Sequence, residues 1–211
     1  MKRIILSVAA LVVAACSYAQ GKYEAAMQKG VTEVYAARDA DAFQASANYF
    51  ERVSNAEKDK WLPNYYAAYA LIMKGLSGAP AAQQDALMNK ADEFIAKADA
   101  LEPNNSEISV LKSMALVVRM QADQSKSMTL GPQATQVVQQ AIQQNPDNPR
   151  AHMQMAQMLY YTPAAFGGGK EAGLNSLQKS LDAFAKFKPA TPLDPAWGEV
   201  YAKSLKEQWS K

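Results

Sequence analysis

The sequence predicts an all-α fold, an α-solenoid of about four antiparallel helix pairs with a capping helix at the C-terminus. Apolar residues recur at the three- and four-residue spacing of a helix, and no segment of useful length alternates with the period of two that marks a strand. In addition, a pattern of small, aliphatic and small residues followed by proline occurs twice, 43 residues apart. Self-similarity at a period of this length is typical of stacked helical hairpins.

The repeated pattern identifies the second helix of two neighbouring pairs. One copy is Ala91, Ile95, Ala98 and Pro103, and the next copy keeps the same spacing with Ala134, Val138, Ala141 and Pro146. Small residues suit places where two helices approach closely, and the aliphatic residue belongs to the core-facing stripe. The proline ends each helix, because it cannot continue the hydrogen-bond ladder.

Extending this pattern along the chain predicts about nine helices. In order they cover residues 22–37, 40–55, 63–76, 79–101, 106–123, 130–144, 149–160, 170–187 and 195–209. The interruption between the sixth and seventh is a helix stop followed at once by a helix start, since Asn148 is a good N-cap and Pro149 suits the first helical position. Asp194 is the predicted N-cap of the last helix.

The C-terminal region begins with a proline-rich linker. Residues 188–195 contain three prolines and are predicted to be stiff, so that they lay the final helix across the last pair. Trp61, Trp197 and Trp209 are expected to cap the ends of the stack, where each would bury a large apolar area.

Residues 1–19 have the pattern of a secretory signal peptide: two basic residues, a short apolar run and a small-x-small end. Cleavage after this end would leave residues 20–211 as one helical-repeat domain, periplasmic or secreted. Alternatively, the sequence that ends at Cys16 resembles a bacterial lipobox, which would make this cysteine a lipid anchor to the outer membrane. No later segment is apolar for long enough to cross a membrane.

Charge and motifs exclude several classes of function. The chain has 22 basic and 20 acidic residues without a dense basic cluster, which argues against a nucleic-acid binder. It contains no nucleophile–base pair, metal-ligand spacing or cofactor fingerprint, so we expect no enzyme, catalytic residue, metal or cofactor. The one histidine, His152, is expected to pack within its helix pair.

The repeated residues resemble the tetratricopeptide-repeat (TPR) superfamily. A degraded third copy of its second-helix pattern is Gly173, Leu177 and Ser180, and the small eighth position of its first helices is met by Ala70, Ser113 and Ala156. The period of 43 residues exceeds the family's usual length. More narrowly, residues 149–171 look like those of exported bacterial TPR-like proteins. The resemblance implies that a concave face holds a peptide or protein partner.

Helical geometry places the groove candidates at the second, fifth and ninth positions of the first helices. Arg150 and Glu107 could clamp the charged ends of a peptide, or could only interact with neighbouring helix dipoles. The full set is Asn64, Ala67, Leu71, Glu107, Val110, Met114, Arg150, Met153 and Gln157.

A glycine cluster precedes the eighth predicted helix. Gly167, Gly168 and Gly169 could expose backbone N–H groups to an anion, with Lys170 adding charge, although the cluster is not a P-loop. The simpler interpretation is a tight turn with Phe166 in the core, because glycine is the default residue where φ is positive.

Two functional hypotheses remain from the sequence. The first is an exported, non-enzymatic scaffold that binds a protein or peptide partner in the cell envelope. The second is a ligand-binding accessory protein of a small-molecule transport system, with a pocket near residues 166–170.

Overall fold

A computed structural model of the protein describes residues 20–211. The predicted signal peptide and the possible lipid anchor at Cys16 lie outside these residues. Within the described range the chain forms nine α-helices and two short 3₁₀ turns, with no strand, which confirms the all-α prediction.

The first helix, α1, occupies residues 20–36. The following helices are α2 (Ala40–Ala56), α3 (Trp61–Leu76), α4 (Ala81–Leu101), α5 (Ser106–Ala122), α6 (Ser127–Gln144), α7 (Pro149–Tyr161), α8 (Lys170–Lys186) and α9 (Glu199–Trp209). Consecutive helices from α2 to α9 pack against one another, and α5 also packs against both α3 and α7. Helices α3, α5 and α7 therefore lie side by side, and we call them the inner row.

The repeat positions are buried as the pattern predicts. The small residues Ala70, Ser113 and Ala156 of the inner row are fully buried. Ser113 also donates from its hydroxyl to the Ala134 carbonyl of α6, at 3.3 Å. At the start of α7 the Asn148 side chain accepts hydrogen bonds from two backbone N–H groups, as expected of an N-cap. The helix pairs of the solenoid are thus set by local sequence.

The last helix begins later than its sequence predicts. It starts at Glu199 rather than Pro195, and Gly198, with a φ of 109°, occupies the N-cap position. Asp194 does not cap it, because its carboxylate accepts instead from the N–H of Thr191, at 2.7 Å. The residues before Glu199 form contacts with the inner row, and these tertiary contacts override the local helix-start signal.

Candidate functional sites on the inner row and the first hairpin

Residues 187–198, which join α8 to α9, form a strap that lies against the inner row. The Tyr66 hydroxyl of α3 donates to the carbonyl of Leu193 at 2.8 Å. The N–H of Ala196 donates to the Tyr35 hydroxyl of α1 at 3.1 Å, and the two tyrosine hydroxyls are themselves 3.1 Å apart. The strap therefore ties the C-terminal part of the chain to the first and third helices.

Trp197 is the main anchor of the strap. Its indole N–H donates to the Tyr65 hydroxyl at 2.9 Å, and its ring centroid lies 5.0 Å from that of Tyr69. Its carbonyl accepts a hydrogen bond from Arg150 Nη1 at 3.1 Å. The prediction that this tryptophan caps an end of the stack is wrong, because the indole spans from α3 to α7 across the inner row.

The two predicted clamp residues pair with each other. Arg150 Nε lies 2.7 Å from Glu107 Oε2, and Nη2 lies 2.8 Å from Oε1, so the ion pair is bidentate. The arginine side chain is 1% exposed and the glutamate side chain 14%. Burial alone would lower the pKa of the Arg150 guanidinium, but the charge and hydrogen bonds of Glu107 outweigh burial and raise this pKa. The arginine is therefore held in its charged form by a partner within the fold.

The remaining groove candidates are brought together on the inner row and are largely covered by the chain itself. Gln157 is half-buried and accepts a hydrogen bond from the Tyr201 hydroxyl at 3.2 Å. The others are buried: Asn64, Ala67, Leu71, Val110, Met114 and Met153.

The glycine cluster forms a turn whose N–H groups are used internally. The N–H groups of Gly167, Gly168 and Gly169 donate to the carbonyls of Ala164, Pro163 and Leu159 respectively. A Cβ on Gly168 would lie 2.2 Å from the Thr162 carbonyl oxygen, which explains glycine there. Lys170 is exposed at the start of α8.

Phe166 lies near this turn, and His152 lies at the start of α7. The expectation that Phe166 is in the core is wrong, because it lies on a 3₁₀ turn and is 80% exposed. His152 is half-buried, and its Nε2 lies 2.7 Å from the Pro146 carbonyl oxygen, which agrees with a packing role.

Sequence reasoning missed a cluster of tyrosines beneath the strap, of which one is half-buried and three are buried. Burial is the main cause that raises the pKa of each of them. Three of these side chains come from α3, and the four-residue spacing of Tyr65 and Tyr69, which puts both on one face of the helix, is the available signal. The members are Tyr35, Tyr65, Tyr66 and Tyr69.

A second feature is an open cleft between α1 and α2, which we call the hairpin cleft. Its volume is about 500 Å³, and four alanines form much of its lining: Ala36, Ala37, Ala42 and Ala45. Lys29, Glu33, Tyr49 and Arg52 also line it. An adjoining cavity of about 290 Å³ shares Tyr49 and Arg52.

Two further observations concern residues 20–211 only. In this range no group of three or more histidine, cysteine, aspartate or glutamate side chains is placed to hold a metal ion. No helix in the same range combines the length and apolar character that a membrane crossing requires.

No protein-family model matches the chain, and no curated protein matches it. Among solved structures, a thermophilic TPR protein from Thermus thermophilus has 18% sequence identity and a TM-score of 0.55, covering 89% of this chain and 98% of that chain. The O-GlcNAc transferase of Thermobaculum terrenum, also at 18% identity, has a TM-score of 0.50 and covers 82% of this chain but 30% of its own. Both similarities support the TPR-like fold alone.

A third solved structure is similar in sequence as well as in fold. The HusA haemophore from Porphyromonas gingivalis shares 31% identity with this chain and has a TM-score of 0.82. The match covers 89% of this chain and 92% of that chain. The chain is therefore a TPR-like helical-repeat protein and belongs to the same family as the HusA haemophore.

Proposed function

We propose that this protein is an exported, non-enzymatic carrier of a haem-type tetrapyrrole. The observation that carries the proposal is the 31% identity to a haemophore, a protein named for carrying haem, over nearly the whole of both chains. This function corresponds to the second sequence hypothesis, a ligand-binding accessory protein of a small-molecule transport system. The signal-peptide pattern of residues 1–19 supports export to the periplasm or beyond, or anchoring at Cys16.

The contacts of the inner row argue against a peptide bound at the predicted groove positions. A peptide on this surface would have to displace Trp197 from Tyr65 and Tyr69, and the hydrogen bonds of the strap with it. The charges suited to the ends of a peptide are already used by the Arg150–Glu107 ion pair. Each of these contacts would have to be replaced by the partner before any net affinity appeared.

An absorbance titration of the purified protein with haem tests the proposal. We expect a saturable change in the haem spectrum, with a dissociation constant on the order of micromolar or tighter. Haem in large excess over this constant should also raise the thermal midpoint, because a ligand that binds only the folded state stabilises it.

A spectrum and a thermal midpoint that both stay unchanged in excess haem would contradict the carrier function. If a protein neighbour were then reproducibly recovered by crosslinking in the native host, the peptide or protein scaffold would be favoured.

A further inference from the structure

We infer that the hairpin cleft between α1 and α2 is the ligand site, and that it takes a flat apolar molecule bearing carboxylate side arms. This inference rests on the proposed function and assigns a place and a recognition chemistry to it. The cleft is built from three parts: an alanine surface, a fixed tyrosine ring and two cations.

The alanine surface provides a shallow apolar area. Methyl side chains at Ala36, Ala42 and Ala45 keep the space between the two helices open where larger residues would fill it. The cleft, at about 500 Å³, lies within the size range of known small-molecule sites, roughly 300–1,000 Å³, and the adjoining cavity has a volume of about 290 Å³. A flat apolar ligand would lie against this surface.

The ring of Tyr49 is held in place at the junction of the two cavities. Its hydroxyl donates to the Ala26 carbonyl at 2.9 Å, and its ring packs edge-on against Phe50, with centroids 5.8 Å apart. A ring fixed from both ends loses little freedom when a ligand contacts it. Aromatic systems prefer offset-stacked or edge-to-face contacts, which a tetrapyrrole can supply.

Two cations flank this ring. Lys29 Nζ on α1 and Arg52 Cζ on α2 each lie 5.7 Å from the Tyr49 ring centroid. The carboxylate nearest to Lys29 is that of Glu33, at 3.9 Å, and the two side chains are 64% and 51% exposed. An exposed pair at this distance is weak, so a ligand carboxylate can compete for the lysine. The adjoining cavity adds one charge of each sign, Lys22 and Glu57.

This charge arrangement matches a haem-type ligand. Haem carries two propionate groups at one edge of an apolar macrocycle. With the macrocycle on the alanine surface and against Tyr49, the propionates would reach Lys29 and Arg52, where charge-assisted hydrogen bonds are stronger than neutral ones. A neutral apolar molecule of the same shape would gain the contact with the alanines and lose the two ionic contacts.

The test compares two probes, haem and haem dimethyl ester, whose propionates are blocked. The main variant is Lys29→Gln with Arg52→Gln, and the matched control is Lys203→Gln with Lys206→Gln on the exposed face of α9. We expect the wild-type protein and the control to prefer haem over the ester by about tenfold or more. The cleft variant should bind haem at least about tenfold more weakly and show no preference between the probes.

A third variant tests the alanine surface. Ala45→Trp places an indole in the cleft at an exposed position of α2. It should therefore weaken the binding of haem and of the ester to the same extent, while the fold is retained. If the wild-type protein binds haem and both cleft variants bind it as tightly as the wild type does, the assigned site is wrong and the carrier function is still supported. If the wild-type protein does not bind haem at all, both the carrier function and the assigned site are wrong.

Discussion

The inner row and the hairpin cleft are both lined by aromatic and cationic side chains. They differ in how far these side chains are already buried and paired with partners in the same chain. On the inner row Arg150 is 1% exposed, paired with Glu107 at 2.7 Å and covered by the strap. In the cleft Lys29 is 64% exposed, and its nearest carboxylate partner is 3.9 Å away. A cation buried with its own partner stabilises the fold, whereas an exposed cation beside small apolar residues is available to a ligand.

The largest loss of unfolding free energy should come from Glu107→Ala on the inner row. This change leaves the buried Arg150 guanidinium without its carboxylate, which typically costs roughly 3–5 kcal/mol of unfolding free energy. Urea denaturation measures the change. The control is Glu199→Ala, which removes an exposed ion pair with Lys203 and should cost about 0.3–0.5 kcal/mol. Equal losses in the two variants would show that the inner-row ion pair is not a buried structural contact.

Removing the main anchor of the strap should cause the next largest loss of unfolding free energy. Trp197→Ala removes the indole from Tyr69 and its hydrogen bond to Tyr65. We expect a loss of roughly 2–3 kcal/mol, slightly less than for a fully buried tryptophan, because Trp197 is half-buried. Phe166→Ala, at an 80% exposed position, should change stability by less than about 0.5 kcal/mol in the same denaturation assay. A Trp197→Ala protein as stable as its parent would mean that the strap is not docked in solution.

The tyrosines give a pH dependence with a defined sign. Burial raises the pKa of Tyr23 to about 12, and burial also raises the pKa of Tyr69 and of its neighbours beneath the strap. Above the unfolded value of about 10 the unfolded chain releases these protons while the folded chain keeps them, so the unfolding free energy falls as pH rises. Each tyrosine contributes at most about 1.4 kcal/mol per pH unit.

Thermal unfolding between pH 8 and 11.5 measures this dependence. The contribution of the tyrosines should be constant below pH 10 and should decline above it. Tyr69→Phe should make the decline shallower, because one proton-releasing group is removed from the unfolded chain. The same steepness in parent and variant would contradict the burial of this hydroxyl.

The smallest effect should come from the cleft. Lys29→Gln removes an exposed cation whose ion pair is weak, so the unfolding free energy should change by less than about 0.5 kcal/mol. A loss of more than about 1 kcal/mol would mean that Lys29 is structural, and it would remove the contrast between the two regions.

Much of the fold could be predicted because it is encoded locally. The N-cap at Asn148, the small buried residues of the inner row and the 43-residue period each act within one or two helix pairs. The strap could not be predicted in this way, because its hydrogen bonds join residues 127 and 161 positions apart in the chain. Its proline-rich sequence predicted stiffness, and only the tertiary contacts determine what it covers.

The hairpin cleft could not be predicted from the sequence for a different reason. Lys29, Arg52 and the alanines between them look like the solvated face of two ordinary helices, and only the spacing of α1 and α2 turns them into a cleft. Helical position predicts the groove candidates. It places Glu107, Arg150 and Met153 on helices that lie side by side, but it cannot show that Arg150 and Glu107 pair with each other.

Amide hydrogen exchange with and without haem distinguishes the hairpin cleft from the inner row as the ligand site, because it maps both regions in one experiment. We expect haem to slow exchange in residues 26–36 of α1 and 42–53 of α2, and to leave residues 191–197 of the strap unchanged. Slower exchange confined to the strap and the inner row, with α1 and α2 unaffected, would contradict this expectation and would place the ligand on the inner row.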